Sequence, residues 1–172
     1  PRVMARHPGM RFVFAGSSQV SPLRDFSPRA FVGGGICTWG DMEAWLKKRL
    51  APLGDSVQFR GHLDPERLSG LLGEADLCVF PSRYDNFPNA CLEAMAAARP
   101  IVATRSGGME EMLEVAQAGR LVEPDDQRDL ARAICWMAEH PAERRVMALR
   151  AREQVLGAYS DGMVGPLYEE LY

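Results

Sequence analysis

The residues best suited to chemistry lie in the stretch ADLCVFPSRYDNFPNACLEAMAAARPIVATRS, residues 75–106. An apolar run there ends in a polar loop, and Pro88 follows near the first turn of a predicted helix, where its missing N–H is harmless. The backbone amides around Asn89, Ala90 and Cys91 would then point outward without an acceptor inside the helix. Because a helix N-terminus carries partial positive charge, this segment predicts an anion site that suits a diphosphate.

Two carboxylates flank the predicted helix start. Asp85 lies in the loop before the helix, and Glu93 lies about one turn inside it. Carboxylates in these places can accept hydrogen bonds from sugar or ribose hydroxyls without facing the phosphate. The same pair has an ordinary structural interpretation, because an Asp before a helix is commonly a cap and an early Glu interacts favourably with the helix dipole. Spacing alone does not decide between the two.

The elements that position these residues alternate between strand and helix. Short continuous apolar runs predict strands at residues 11–15, 57–59, 77–80, 101–103 and 120–122. Helical patterns cover residues 41–53, 65–73, 88–98, 109–116, 126–139 and 142–156, and an apolar face is expected at 163–172. This alternation predicts an α/β fold, a Rossmann-like three-layer domain with a parallel sheet, in which residues 1–172 form a single domain.

Ligands of such folds bind beyond the carboxyl ends of the strands, which draws attention to two further loops. Gly16 and Ser17 follow the first strand, and His62 follows the second. Residues 17–52 are expected to be a loop or insertion region, although the helical pattern returns towards its end. The run Gly33-Gly34-Gly35 lacks a following Lys-Ser/Thr pair, so it indicates a flexible loop and not a phosphate-binding one.

Composition excludes several classes of protein. With 172 residues, 47% hydrophobic and 25% charged, the chain has ordinary globular composition. A net charge of −3 gives no general attraction to nucleic acid, and no apolar run approaches the ~20 residues of a membrane span. The start does not resemble a signal peptide, and the histidines are too widely spaced for a metal site. No CxxC pair occurs, which predicts reduced core cysteines in a cytoplasmic protein (Cys37, Cys78, Cys91 and Cys135).

Taken together, the motifs resemble the C-terminal donor-binding domain of retaining group 1 glycosyltransferases of GT-B architecture. That family combines Pro-Ser, two acidic residues with seven others between them, Phe-Pro-Asn, Glu-Ala-Met-Ala and Pro-Val/Ile-Val-Ala-Thr, and this chain has PSRYDNFPNACLEAMAAARPIVAT. SGGMEEML resembles the family's Gly-Gly-x-Pro-Glu loop, and AGRLVEPDDQRDLARAI resembles its Gly-Leu-Leu-Val-x-Pro stretch. HPGMRFVFAG and VQFRGHL are similar to its first strand and its Phe-x-Gly turn. The resemblance covers nearly everything except residues 19–52.

The resemblance implies a role for each candidate residue of the donor segment. Glu93 would hold the ribose hydroxyls of the nucleotide, and Asp85 would meet hydroxyls of the donor sugar, which makes these two the candidate catalytic residues. The backbone at Asn89 and Ala90 would cradle the diphosphate.

Four further residues receive roles in other loops. Gly16 and Ser17 would let the first loop approach the phosphates, and His62 would lie near the base, with a plain exposed loop histidine as an equal alternative. Glu111 matches the Glu of the Gly-Gly-x-Pro-Glu loop and would support that loop.

Three departures from the family pattern stand out. Asp85 is one methylene shorter than the usual Glu. Ala98 replaces the usual helix-ending Gly, which would cost roughly 1 kcal/mol of stability if the position needs a left-handed turn. Met109 and Glu110 stand in place of the variable residue and the Pro, which predicts a less rigid loop.

The implied function is binding of a nucleoside-diphosphate sugar of UDP or GDP type, for retaining transfer of the sugar to an acceptor hydroxyl. The resemblance implies no cofactor and no divalent metal. It also implies an N-terminal acceptor domain of the same chain, without which these residues are expected to be inactive, and through which alone any peripheral membrane association would occur. A nucleotide-sugar epimerase or hydrolase, and a non-catalytic nucleotide-binding module, remain open alternatives. The base, the sugar and the acceptor are left open.

Overall fold

The structure is a computed structural model that describes residues 1–16, 39–83 and 85–159. The predictions for Ser17, for Gly33-Gly34-Gly35 and for residues 163–172 lie outside the described residues. Contacts between Cα atoms divide the chain into two compact units, one formed by Pro1–Pro8 with Leu68–Tyr172 and the other by Gly9–Arg67.

The unit Gly9–Arg67 is built on a pair of parallel strands. Its elements are β1 (Phe12–Ala15), α2 (Trp39–Leu50), a 3-10 helix (Ala51–Ser56) and β2 (Val57–Gly61). The strands pair with Phe14 opposite Phe59, and these two rings stack with centroids 4.9 Å apart. The helical pattern predicted from residue 41 is confirmed. Residues 39–50 of the region expected to be a loop or insertion form α2.

The second unit contains a three-stranded parallel sheet in the order β3-β4-β5. Its elements are α1 (Arg2–Arg6), most of α3 (Pro65–Glu74), β3 (Cys78–Phe80), α4 (Asn89–Ala96), β4 (Ile101–Thr104), α5 (Gly108–Glu114), β5 (Arg120–Val122), α6 (Gln127–Glu139) and α7 (Pro141–Ala158). Cys78 lies opposite Ile101, and Val102 lies opposite Arg120. The predicted α/β fold with parallel strands is confirmed.

Helices cover both faces of the central strand β4, whose four residues are all buried. Ile101 and Ala103 belong to one apolar cluster, which also includes buried side chains of α4, α5 and α7. Val102 points to the opposite face and packs in a second cluster with residues of α6. This alternation is what a strand between two helical layers requires, because successive side chains of a strand point to opposite faces.

The predicted cysteine environments are confirmed for three of the four residues. Cys91 and Cys135 are buried and Cys78 is half-buried, all three as free thiols, whereas Cys37 lies outside the described residues. Among the helices that the structure describes, none is long and apolar enough to cross a bilayer.

The end of α4 has the left-handed turn that the Ala98 position predicts. Ala98 has a φ of 51°, and the N–H of Arg99 donates to the Ala94 carbonyl at 2.9 Å. The Arg99 side chain then donates to three backbone carbonyls around the ends of α3 and α4: Ala97 at 2.9 Å, and Gly73 and Ala75 at 3.3 Å each. The turn therefore fixes where α4 ends and β4 begins.

Candidate functional site

The first turn of α4 has two backbone amides without an acceptor among the described residues. Pro88 is the residue before the helix, with extended backbone, and no side chain caps the helix there. Cys91 and Leu92 donate to the Pro88 carbonyl, at 3.0 and 3.3 Å. The prediction of an open amide is therefore wrong for Cys91, because the first turn closes on its own carbonyl. It is confirmed for Asn89 and Ala90, which are both exposed.

Glu93 lies on the same exposed face of α4 as the side chains of Asn89 and Ala90, whose backbone amides are open at the start of the helix. The opposite face of the helix packs into the core through Cys91, Ala94 and Met95, which have no exposed surface. Residues three and four positions apart share a helix face, so Glu93 lies one turn along from Ala90 and Asn89. The structure thus brings the predicted ribose ligand and the predicted phosphate ligands together.

The loop that carries Asp85 is held by two glycines that follow β4. The N–H of Gly108 donates to the carbonyls of Asp85 and Asn86, at 3.2 and 2.8 Å. A Cβ atom at Gly107 would overlap the Asp85 carbonyl oxygen, and one at Gly108 would overlap that of Asn86. Gly107 also has a φ of 51°. Both positions therefore require glycine, and this close approach fixes the backbone on which Asp85 stands.

The Asp85 side chain is half-buried, and its charge acts on the first turn of α4. Burial, then the neighbouring Cys78, then the negative charge of Asp85 raise the pKa of the Cys91 thiol to about 12. Burial also raises the pKa of Cys78, to about 11. Neither thiol is ionised near neutral pH, so neither is a nucleophile.

The arginines on the neighbouring loops are already paired with carboxylates. Arg83 forms an exposed ion pair with Asp125 at 2.8 Å. Arg105 lies 2.5 Å from Glu110 and 2.8 Å from Glu114, and these hydrogen bonds, with that of Glu114 the larger, raise its pKa further. Arg83 and Arg105 are therefore both engaged by carboxylates of this chain.

The loop support that was predicted for Glu111 comes from Glu110 and Glu114 instead. Glu111 is exposed and forms no ion pair among the described residues, whereas Glu110 and Glu114 both bind Arg105. Glu110 and Glu114 lie four residues apart, so they share a face of α5 that Glu111 does not. The spacing of these two acids after Arg105 was the signal that the motif-based prediction missed.

In the other unit, the carboxyl ends of β1 and β2 meet as predicted. The N–H of Gly16 donates to the Gly61 carbonyl at 2.8 Å, and the exposed His62 follows directly. Gly61, the glycine of the Phe-x-Gly turn, has a φ of 63°. The roles of Gly16, Ser17 and His62 towards a nucleotide remain predictions.

The part of the chain that the structure describes contains no group of three His, Cys, Asp or Glu side chains placed to hold a metal ion. The site consists of amides, two carboxylates and the loop that carries Asp85.

Comparison with known proteins identifies the family. The model of the family Glycosyl transferases group 1 matches residues 1–140. The chain belongs to this family. Its fold is that of the C-terminal-type domain of GT-B glycosyltransferases, as the motifs predict.

Individual relatives are considerably longer than this chain. The glycogen synthase of Mycobacterium tuberculosis (strain CDC 1551 / Oshkosh) is 29% identical over 174 residues, which cover 100% of this chain and 37% of the relative. Sucrose-phosphate synthase from Thermosynechococcus elongatus is 30% identical with a TM-score of 0.74, covering 98% of this chain and 40% of that one. The Anabaena protein Alr3699/HepE, solved with UDP-glucose, shares the fold with a TM-score of 0.74 at 19% identity, covering 99% and 52%.

Proposed function

We propose that this chain binds a nucleoside-diphosphate sugar as the donor for retaining transfer of the sugar to an acceptor hydroxyl. The observation that carries the proposal is the start of α4, where Asn89 and Ala90 have open backbone amides and Glu93 is exposed one turn further along. Asp85 stands on the adjacent loop, which Gly107 and Gly108 hold at a fixed place.

The open amides suit the diphosphate because of where charge develops. As the glycosidic bond to the leaving phosphate breaks, negative charge grows on the diphosphate, and donors already aimed at it stabilise the transition state. The amides of Asn89 and Ala90, with the partial positive charge of the α4 N-terminus, supply such donors. We therefore expect donor binding to survive removal of divalent metal ions by EDTA.

The two carboxylates can accept hydrogen bonds from hydroxyl groups, and their positions suit different parts of the donor. Glu93 lies one turn inside α4, beyond the amides, and would accept hydrogen bonds from the ribose. Asp85 lies on the loop before α4 and would accept from the transferred sugar. A carboxylate that accepts from a hydroxyl makes a charge-assisted bond, about twice as strong as a neutral one.

A UDP-sugar is the first donor to test. HepE shares the fold and was solved with UDP-glucose, which supports a uridine nucleotide in this chain, and a GDP-sugar is the second choice. The chain spans 37% of the length of the glycogen synthase it matches. We propose that the acceptor-binding half of the enzyme lies outside these 172 residues, and that the 172 residues bind donor without turning it over.

The test is calorimetric titration of the chain with UDP, GDP and ADP. A hydrogen bond to an ionised carboxylate contributes about 1.5–3 kcal/mol, so Glu93→Ala should weaken binding of the preferred nucleotide by roughly ten-fold or more. Asp85→Ala should leave the affinity for the bare nucleotide almost unchanged and should weaken binding of the nucleotide-sugar. Glu153→Ala, at an exposed carboxylate of α7, is the matched control and should bind as the parent does.

Two results would overturn the proposal. One is a parent chain that binds none of the three nucleotides. The other is equal binding by the parent, Glu93→Ala and Asp85→Ala, which would make both carboxylates ordinary helix-end residues.

A further inference from the structure

Thr104 and Ser106 are buried polar residues at the end of β4, with 4% and 7% of their surface exposed. Among the described residues, these two are the polar residues that are buried. Neither belongs to the predicted donor ligands. A buried hydroxyl must find a hydrogen-bond partner, so the groups these two contact show what they hold.

Both hydroxyls reach the backbone of the loop after β3. The Thr104 hydroxyl donates to the Ser82 carbonyl, and the Ser106 hydroxyl lies 3.2 Å from the same oxygen. The Phe80 carbonyl lies 3.3 Å from Thr104 Oγ1, and the two hydroxyl oxygens are also 3.3 Å apart. A carbonyl oxygen has two lone pairs, so Ser82 can accept from both side chains at once.

The same segment holds that loop at a second point. Three residues after Ser82, the carbonyl of Asp85 accepts from the Gly108 amide, as does that of Asn86. Residues 104–108, from the end of β4 to the start of α5, therefore bind the loop at Ser82 through two hydroxyls and at Asp85 through a backbone amide. Asp85 is held through its own carbonyl and lies three residues after the Ser82 carbonyl, which the two hydroxyls hold, whereas Glu93 depends on the buried face of α4.

We propose that Thr104 and Ser106 are positioning residues for the donor sugar. By holding the Ser82 carbonyl they set the place of the Asp85 carboxylate, and they do not touch the donor themselves. The inference rests on the proposed function, in which Asp85 meets the sugar and Glu93 meets the ribose. It predicts that loss of the hydroxyls weakens the sugar contact and spares the nucleotide contact.

The first measurement needs no ligand. Thr104→Val keeps the shape of the side chain and removes the hydroxyl, Ser106→Ala removes the serine hydroxyl, and Thr104→Ser keeps a hydroxyl. Hydrogen exchange of the Gly108 amide reports the loop, and exchange of the Ala118 amide, which donates to Leu113 at 2.8 Å, reports a separate turn of the same unit. In the double variant Thr104→Val/Ser106→Ala, Gly108 should exchange at least roughly ten-fold faster relative to Ala118, and Thr104→Ser should match the parent.

The second measurement uses UDP and UDP-glucose on the same variants. The double variant should bind UDP as the parent does and should bind UDP-glucose roughly three- to ten-fold more weakly, because a displaced carboxylate loses part of its charge-assisted bond. Thr104→Ser, which keeps a hydroxyl, should bind UDP-glucose as the parent does.

The outcomes separate this inference from the proposed function. If the parent binds no nucleotide, the proposed function and the sugar-positioning role both fail, whatever the exchange data show. If the parent binds but the double variant loses UDP and UDP-glucose equally, or Gly108 and Ala118 exchange faster by the same factor, the hydroxyls serve general stability and the inference is overturned.

Discussion

Replacement of Ala98 by glycine is expected to stabilise the protein. Ala98 follows α4 with a φ of 51°, and its N–H donates to the Met95 carbonyl at 2.9 Å while Arg99 donates to Ala94. In the left-handed region the Cβ atom of an L-residue lies too close to the following carbonyl, which costs about 1–2 kcal/mol. Glycine has no Cβ atom and adopts this conformation without that strain.

The size of the gain follows from two opposing effects. Relief of the strain contributes about 1–2 kcal/mol, whereas the greater freedom of glycine in the unfolded chain opposes it by about 0.4–1 kcal/mol. These two effects leave a gain of about 0.8 kcal/mol, and the loss of the half-buried methyl group of Ala98 lowers the net gain in the free energy of unfolding to about 0.5 kcal/mol. For a protein of this size that corresponds to a Tm increase of about 1–2 °C.

Urea unfolding followed by circular dichroism measures this difference. The control is Ala131→Gly in the interior of α6, where the backbone is helical and the same substitution should cost about 1 kcal/mol. The two variants should therefore shift the midpoint in opposite directions. A decrease for Ala98→Gly as large as that of the control would refute the argument from backbone strain.

Four other outcomes follow from the structure. Gly107→Ala should weaken UDP-glucose binding and lower the Tm, because its Cβ atom would overlap the Asp85 carbonyl; an unchanged Tm would contradict this close approach. Asp126 accepts hydrogen bonds from the amides of Asp129 and Arg128 at the start of α6, which lowers its pKa below 3.8. A carboxyl with a lowered pKa stabilises the fold above its unfolded pKa and loses that effect as the pH falls through the folded value, so Asp126→Asn should make thermal stability fall less steeply on acidification. Cys78 and Cys91 should react with Ellman's reagent at pH 8 only after denaturation, because burial raises the pKa of each thiol, to about 11 and about 12. The 172-residue chain should show no glycosyl transfer from UDP-glucose to any acceptor, and measurable turnover would place the catalytic groups within it.

Local sequence patterns were sufficient to predict several structural features of the candidate site. The start of α4 was predictable because a proline at a first turn and the apolar positions behind it are short-range signals. The exposed face that Asn89 and Glu93 share follows from helical periodicity alone. The left-handed turn at Ala98 was predictable because the motif places a helix end at that residue.

Contacts between distant segments were not predictable in the same way. The hydrogen bonds from Thr104 and Ser106 to the Ser82 carbonyl join residues more than twenty positions apart. The sequence of neither segment indicates that the other is its partner. The same holds for the approach of Gly107 to Asp85. The closure of the Cys91 amide on Pro88 is a matter of first-turn geometry, which residue types do not specify.

The most direct test of the donor site is to record backbone amide shifts of the ¹⁵N-labelled chain during titration with UDP, and again with uridine. If the start of α4 binds the diphosphate, UDP should shift the Asn89 and Ala90 amides most strongly, and uridine at the same concentration should leave both in place while still shifting residues near the ribose, Glu93 among them. Shifts that spare Asn89 and Ala90 in the presence of saturating UDP would contradict the account.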